Sequence, residues 1–193
     1  MKKAIMIISA MLTLFGERAM AQRCLPGMSA VEVRADMVNG FYTGNSRNCG
    51  YNIGVFYSVI KGNNANTWSF GAEYLQTYKP YGEKGRIPVV QFTGEAGYNL
   101  RIVSDYSQTF HLYGGVSALA GYEAVNWGKR LLPDGSTLHN GNSFIYGGAL
   151  TLSADFYFSD KIILTANVKE RFVFGNSTGH FHTQYGIGIK FRL

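Results

Sequence analysis

The sequence lacks the features that define most nucleotide-binding enzymes and most helical membrane proteins. After its first residues it has no apolar run long enough to cross a bilayer as a helix, which excludes a multi-helix membrane protein. It has no G-x-x-x-x-G-K-S/T motif and no strand-to-helix G-x-G-x-x-G motif, so no phosphate-binding loop is indicated. It has only two cysteines, and no nucleophile motif surrounds its four histidines. The fold and functional class of the protein must therefore be inferred from its hydrophobic pattern and its composition.

The first residues have the composition of an export signal. Lys2 and Lys3 precede an apolar run from Ala4 to Phe15, which is too short to span a bilayer, and Ala19-Met20-Ala21 follows it. We predict a cleaved signal peptide over residues 1–21 and a single domain over residues 22–193. A membrane anchor or an ordinary first helix is the alternative interpretation of this segment.

The net charge does not favour a nucleic-acid partner. The formal net charge is +6, and the predicted leader carries Lys2, Lys3 and Arg18 against Glu17, a surplus of two, so the mature chain has +4. This value is too small to indicate direct binding to nucleic acid.

The stretch from Phe181 to Leu193 alternates without a break between two kinds of side chain. One face carries apolar or aromatic residues such as Tyr185, and the other carries polar residues or glycine such as Gly186, which is typical of a half-buried strand. The same period recurs in seven earlier segments, with Phe56 and Ile60 as exceptions. The predicted strands, about eight in all, lie near residues 31–37, 51–60, 68–74, 90–101, 110–123, 144–158, 162–174 and 181–193.

The connections between these strands alternate in length. The tight links are Lys61 to Asn66, Val103 to Gln108, and Ser159-Asp160. The longer links are Asn39 to Cys49, Lys79 to Ile87, and Val125 to Asn142. Outer-membrane barrels have short periplasmic turns and longer extracellular loops, whereas a soluble sandwich has no reason to alternate in this way. We therefore predict an all-β fold, an antiparallel outer-membrane β-barrel of about eight strands, with both termini periplasmic.

Charge placement favours a membrane barrel over a lipocalin-like barrel, which would have an apolar interior and a charged exterior. In a small membrane barrel the apolar faces meet lipid and the polar faces fill the lumen. We expect the lumen charges to neutralise one another, because unpaired buried charges are costly. The predicted lumen charge network is Glu32, Arg34, Asp36, Glu73, Glu95, Asp155, Lys169, Arg171 and Lys190.

Two details refine this expectation. Aromatic residues of the apolar faces cluster near strand ends, as in two interfacial girdles. They are Phe110, Phe156, Phe158 and Phe191 towards one rim, and Tyr51, Tyr122, Phe144 and Phe174 towards the other.

Glu170 is the exception to the placement of charged residues on the polar face, because it falls on the apolar face. We expect either a rim position or a bulge that shifts the register there.

The cysteines and histidines offer little sign of chemistry. Cys24 precedes the first strand and Cys49 opens the second, so the two should lie near opposite rims, too far apart for a disulfide unless the Cys24 segment folds into the barrel. Ser177 with His180, or the set Asp134, Ser136 and His139, could be imagined as a dyad or triad, but a triad is recognised by geometry. We expect no catalytic residues, no cofactor and no metal site.

The long loop from Val125 to Asn142 is more apolar than a solvated tether needs. We interpret it as a contact surface, with its folding back to cap the barrel mouth as the alternative. The candidate contact residues are Trp127, Leu131, Leu132 and His139.

Several segments resemble a known family, the TraO proteins of conjugative transposons in the Bacteroides group. The matching segments are A-Q-R-C-L-P-G-M (Ala21 to Met28), F-G-A-E-Y-L-Q (Phe70 to Gln76), S-A-L-A-G-Y-E-A-V-N-W-G (Ser117 to Gly128), L-L-P-D-G (Leu131 to Gly135) and F-H-T-Q-Y-G-I-G-I-K-F (Phe181 to Phe191). The last of these also resembles the terminal signal of outer-membrane barrels, with Gln184, Gly186 and Phe191 in its key positions.

The resemblance implies a part in conjugative DNA transfer within the cell-envelope mating apparatus. The expected partners are other envelope proteins of that machinery and outer-membrane lipid, and a lumen of eight strands is too narrow to pass DNA. Two further classes stay open: a generic small barrel for adhesion or envelope integrity, and a membrane-embedded enzyme.

Overall fold

The structure is a computed structural model that describes residues 24–40, 49–81, 85–129, 137, 142–177 and 179–193. The predicted signal peptide lies outside these residues. In the described part, no helix is long and apolar enough to cross a bilayer. The elements are β1 (Ser29–Val38), β2 (Gly50–Lys61), β3 (Asn66–Tyr81), β4 (Gly85–Ser104), β5 (Phe110–Val125), a 3-10 turn (Asn126–Gly128), β6 (Ser143–Tyr157), β7 (Ile162–Phe174) and β8 (Phe181–Arg192).

The eight strands form one closed antiparallel barrel in sequence order. Closure is made by the first and last strands, since Ala30 lies opposite Arg192 and Val38 lies opposite Gln184. A closed barrel has no free strand edge, so the sheet satisfies its own backbone hydrogen bonds. The predicted fold class is confirmed.

The barrel is apolar outside and polar inside. In β8 the outward side chains of Phe181 and Ile187 are each 65% exposed, whereas the inward side chains of His182 and Gln184 are buried. The same alternation runs through the other strands, with polar or charged residues among the most buried of the chain. This distribution is the reverse of a soluble protein and is the one expected when lipid surrounds the sheet.

Glycines of β8 make room for carboxylates of β1. Gly186 lies opposite Asp36, and a Cβ atom at Gly186 would overlap the Asp36 carboxylate. A Cβ atom at Gly188 would lie 2.7 Å from Glu32 Oε1, so a side chain there would also have to displace a carboxylate. The polar face of the last strand is therefore partly empty because acidic side chains from its neighbour occupy that space.

The links define two ends of the barrel. We call the end with the links 62–65, 105–109 and 158–161 the short-turn end, and the end with the links 39–49, 82–84, 126–142 and 175–180 the long-loop end.

The predicted loop from Lys79 to Ile87 is wrong, because these two residues are paired. Strand β3 continues to Tyr81 and strand β4 begins at Gly85. At 16 and 20 residues, β3 and β4 exceed the roughly 10 residues that cross a bilayer, so their hairpin projects at the long-loop end.

The expectation of a bulge or a rim position at Glu170 is also wrong. The register of β7 is regular on both sides, with Glu170 opposite Leu150 of β6 and Thr183 of β8. Phe172 and Phe174 lie between Glu170 and the long-loop end of the strand. Glu170 therefore faces outward in a position that the rest of the pattern reserves for apolar residues.

Candidate functional site: the filled interior and its two ends

All nine charged residues of the predicted network lie on inward-facing positions of the barrel. Seven of them have relative exposures of 7% or less, and the side chains of Glu95 and Lys190 are 7% and 14% exposed. They are contributed by β1, β3, β4, β6, β7 and β8. We call this set the interior network.

Lys169 joins strands that are not neighbours in the barrel. Its Nζ atom lies 2.7 Å from Glu73 Oε1 of β3 and 2.7 Å from Glu95 Oε2 of β4. Arg171, on the same strand as Lys169, extends its guanidinium to within 3.9 Å of Glu73 Oε2 and donates from Nη2 to Thr93 Oγ1 at 3.1 Å. These contacts cross the lumen and occupy its centre with paired charge.

A second group of charges lies nearer the short-turn end. Lys190 Nζ is 2.8 Å from Asp155 Oδ2 and 3.6 Å from Glu32 Oε2. Arg34 donates from Nε to Glu32 Oε1 at 2.9 Å. This group links β1, β6 and β8 across the lumen wall.

Asp36 is the member of the interior network that the structure joins to amides rather than to a cation. Asn52 Nδ2 donates to Asp36 Oδ2 at 2.8 Å, and Asn167 Nδ2 donates to Oδ1 at 3.0 Å. The five carboxylates of the network outnumber its four cations, and these amide donors satisfy the extra carboxylate.

Phe56, an exception to the period of two in the sequence, points into the lumen and is 4% exposed. The guanidinium carbon of Arg34 lies 4.6 Å from its ring centre, and Lys169 Nζ lies 5.1 Å from it. The ring rests over Gly54 and Gly71, where any Cβ atom would collide with it. Phe56 is therefore an aromatic partition between the two charged groups, held by cation–π contacts on both sides.

A small polar cavity lies on the short-turn side of Phe56. Its volume of about 60 Å³ is enough for roughly four water molecules. Its polar lining includes Glu32, Ser58, Asn99, Tyr113, Ser153 and Lys190. The cavity can hydrate the charged group near the short-turn end, and it also reaches Glu95, which is paired with Lys169.

The long-loop side of the interior contains a buried apolar cluster, which the alternation did not predict. Leu119, Ile145, Ala149 and Val173 form a buried cluster, and each lies on the face that we expected to be polar. The available signal was the run of apolar residues on both faces near the long-loop ends of the strands. This cluster lies beside the charged residues, since Leu119 is opposite Glu95 and Ala149 is opposite Arg171, and it fills a further part of the lumen.

The β7–β8 link folds across the long-loop end of the lumen. The backbone N–H and the hydroxyl of Ser177 both donate to Glu123 Oε1 of β5, at 2.8 and 2.6 Å. Lys79 Nζ of β3 donates to the carbonyl of Ser177. Gln91 donates to the other Glu123 oxygen at 2.8 Å. The link thereby reaches strands on the far side of the barrel.

The two cysteines lie at opposite ends of the barrel and are not joined by a disulfide. Near the short-turn end, Cys24 Sγ is 3.7 Å from His111 Nε2 and 3.5 Å from Tyr157 Oη. At the long-loop end, Cys49 Sγ donates to the carbonyl of Asn39 at 3.5 Å. The Cys24 segment is held at the short-turn end, where the N–H of Gly27 donates to the carbonyl of Ile60 at 2.9 Å.

The Ser177 and His180 side chains do not form the dyad that the sequence allowed. Ser177 donates its hydroxyl to Glu123 rather than to His180, whose Nδ1 lies 3.1 Å from the carbonyl of Val173. Asp134, Ser136 and His139 lie outside the described residues. Among the residues that the structure covers, no three or more of His, Cys, Asp and Glu are grouped to hold a metal ion.

Of the four candidate contact residues, only Trp127 is described; Leu131, Leu132 and His139 fall outside the described ranges. Trp127 is 58% exposed at the long-loop end. Its φ of 54° and that of Asn126, 50°, are both in the left-handed region, which is strained for a tryptophan. Asn126 Nδ2 donates to the carbonyl of Lys129 at 2.9 Å and stabilises this turn.

Comparison with known proteins identifies both a family and a fold. The family model described as "Conjugative transposon protein TraO" matches residues 25–193. No curated protein matches the sequence.

Among solved structures, the chain is similar to the Neisserial surface protein A, with a TM-score of 0.55, 12% identity, and coverage of 86% of this chain and 97% of that one. It is similar to Ail, the attachment invasion locus protein of Yersinia pestis, with a TM-score of 0.53, 14% identity, and coverage of 88% and 100%. It is similar to OprG from Pseudomonas aeruginosa, with a TM-score of 0.52, 12% identity, and coverage of 88% and 98%. At these identities the similarity establishes the shared barrel fold.

Proposed function

Because the chain belongs to the family of the conjugative transposon protein TraO, we propose that it is an outer-membrane β-barrel component of a conjugative transfer apparatus. It acts structurally, through contacts with other envelope proteins of that apparatus. The observation that carries this proposal is the family match over residues 25–193, which covers every strand of the barrel.

The distribution of side chains supports insertion in the outer membrane. The outward face is apolar along the strands apart from Glu170 and Thr183, and exposed aromatic residues lie near both ends. At the short-turn end they include Phe156, Phe158 and Phe191, and at the long-loop end they include Tyr51, Tyr122, Phe144 and Phe174. Such girdles mark the two interfaces of a membrane barrel. In the proposed orientation the short turns face the periplasm and the long loops face outward, so β1 starts and β8 ends on the periplasmic side.

The filled interior supports a structural role rather than a conduit. Paired charges, the ring of Phe56 and the apolar cluster around Leu119 together fill the lumen. The β7–β8 link then crosses the long-loop end. A DNA strand would have to displace all of these, so we propose that DNA passes elsewhere in the apparatus and that this protein has no direct nucleic-acid contact.

The surface available for protein contacts is the long-loop end. The β3–β4 hairpin projects there, and the exposed Trp127 lies there in a strained turn. Exposed aromatic residues in fixed positions are frequent anchors of protein interfaces. We propose that Trp127, with Leu131, Leu132 and His139, belongs to a contact surface for another envelope subunit.

An in-frame deletion in a donor strain tests the proposed function. Transfer frequency is measured by mating, with the intact gene supplied in trans as the control. A fall of orders of magnitude that complementation reverses is the expected result. Unchanged transfer would refute the proposal and leave a generic outer-membrane barrel for adhesion or envelope integrity.

A further inference from the structure

Glu170 is the only charged side chain on the outward face of the described strands between the two aromatic girdles. The other outward positions in this belt carry aliphatic, aromatic or small residues, apart from Thr183 beside Glu170. The regular register shows that the glutamate is not turned outward by a bulge. Its position therefore requires an explanation other than a local irregularity.

The surroundings of Glu170 do not neutralise it. Thr183 Oγ1 donates to Glu170 Oε2 at 2.5 Å. Its other cross-strand neighbour is Leu150, and its neighbours on the same face of β7 are Val168 and Phe172. In the described part of the chain, no lysine, arginine or histidine lies within 4.0 Å of its carboxylate. One hydroxyl donor is a weak compensation for a carboxylate in a hydrocarbon environment.

We propose that the outward face around Leu150, Glu170 and Thr183 binds a membrane-spanning segment of another envelope protein, and that this segment presents a lysine or arginine to Glu170. Ionisable residues inside a membrane usually pair with an opposite charge, and four of the five carboxylates of the interior network lie within 4.0 Å of a cation. The proposal rests on the proposed function, because it takes the partner to be a subunit of the transfer apparatus.

A second copy of the same chain does not fit this face. Within the belt, the outward positions of the described strands carry no lysine or arginine that a second copy could offer. Two copies meeting at this face would bring two like carboxylates together, which opposes association. The required cation must come from a different protein.

Site-specific photocrosslinking in donor cells that carry the complete set of transfer genes tests this assignment. Phe172, next to Glu170 on the outward face, is replaced by p-benzoylphenylalanine. The matched control places the same probe at Phe92, an outward aromatic residue of β4 that is 55% exposed. The Phe172 probe is then examined with Glu170 intact, with Glu170→Gln and with Glu170→Asp. The glutamine keeps an oxygen that can accept from Thr183 but removes the charge.

We expect a protein adduct from the Phe172 probe and none from the Phe92 probe. Mass spectrometry of the adduct should find an apolar membrane segment of a different protein with a lysine or arginine. Its yield should fall at least about tenfold with Glu170→Gln and be largely retained with Glu170→Asp. The band shift of the unboiled barrel on SDS gels checks that each variant is folded.

Three results would overturn the proposal: an adduct whose yield is unchanged by Glu170→Gln, an adduct with a second copy of this chain alone, or no protein adduct from folded protein. Its failure can be told apart from failure of the proposed function. If deletion abolishes transfer but the Phe172 probe captures no partner, only the Glu170 interface is wrong. If deletion leaves transfer unchanged, the function itself is wrong.

Discussion

Lys169 is a buried cation that holds two carboxylates together. Its side chain is fully buried, and its amine lies 2.7 Å from each of two carboxylates on strands across the lumen. A buried ion pair contributes little compared with a well-packed apolar substitute, but the loss of one partner leaves a buried charge without compensation. The consequences of mutation at this residue are therefore asymmetric.

We predict that Lys169→Met destabilises the barrel by about 3–5 kcal/mol, because Glu73 and Glu95 lose their shared cation. Chemical unfolding of the purified protein in detergent, followed by the change in gel mobility, measures the difference. The triple variant Lys169→Met, Glu73→Gln, Glu95→Gln serves as the control and should recover much of the lost stability. A Lys169→Met protein as stable as the wild type would show that water in the lumen already screens these carboxylates.

For single residues, the sequence predicts whether a side chain points into the lumen or outward. It predicts less well which other residue that side chain contacts. The period of two was enough to place Glu73, Glu95 and Lys169 inside, because a strand has only two faces. The pairing of Lys169 with both carboxylates depends on the relative heights of strands β3, β4 and β7, which alternation does not encode. Phe56 and Leu119 were missed because an apolar residue on the polar face reads as a break in the pattern, although it packs inside.

Among the elements, the 3-10 turn at the start of the loop from Val125 to Asn142 combines exposure with strain. The 3-10 turn leaves Trp127 58% exposed at a backbone geometry that a tryptophan rarely adopts. Strain of this kind persists only where surrounding structure enforces it, and it is found preferentially at binding sites. If this loop is a contact surface, its mutation should lower transfer and leave the barrel folded. If it caps the barrel, its mutation should lower barrel stability.

We predict that the double variant Trp127→Ser, Leu132→Ser lowers transfer frequency at least about tenfold while the barrel stays folded. The physical reason is the loss of large apolar side chains from a contact surface. Mating assays measure transfer, and heat-modifiable gel mobility measures folding. The exposed neighbour Lys129→Ser is the matched control and should leave both unchanged. Loss of barrel stability with the double variant would instead show that the loop caps the lumen.

The bounds of the strands and turns could be predicted from the sequence only in part. The short turns were placed correctly because strand patterns stop on both sides of them. The hairpin of β3 and β4 was cut short because Pro80 and Pro88 lack the backbone N–H that a strand ladder uses, although both residues are paired in the structure. For Glu170 the sequence offers only the local explanations of a bulge or a rim position, whereas its register in β7 is regular.

For the molecule as a whole, the filled interior predicts that the purified barrel does not conduct ions. Reconstituted in planar bilayers at either polarity, the protein should give no discrete conductance steps, because charge pairs, Phe56 and the apolar cluster fill the lumen. A porin reconstituted by the same procedure is the control for insertion. Reproducible steps from this protein would show that the lumen opens and would revive a role as a conduit.

The pairing of β8 with β1 has a consequence for how the gene tolerates damage. Because the first strand synthesised finds its second neighbour only in the last, the barrel cannot form until the whole chain has been translated and exported. A premature stop within the final strand would leave two unsatisfied edges that lipid does not tolerate. Late truncations should therefore behave as null alleles whose products are degraded by envelope proteases. A mobile element that carries such a truncation would have no partly functional form of the protein.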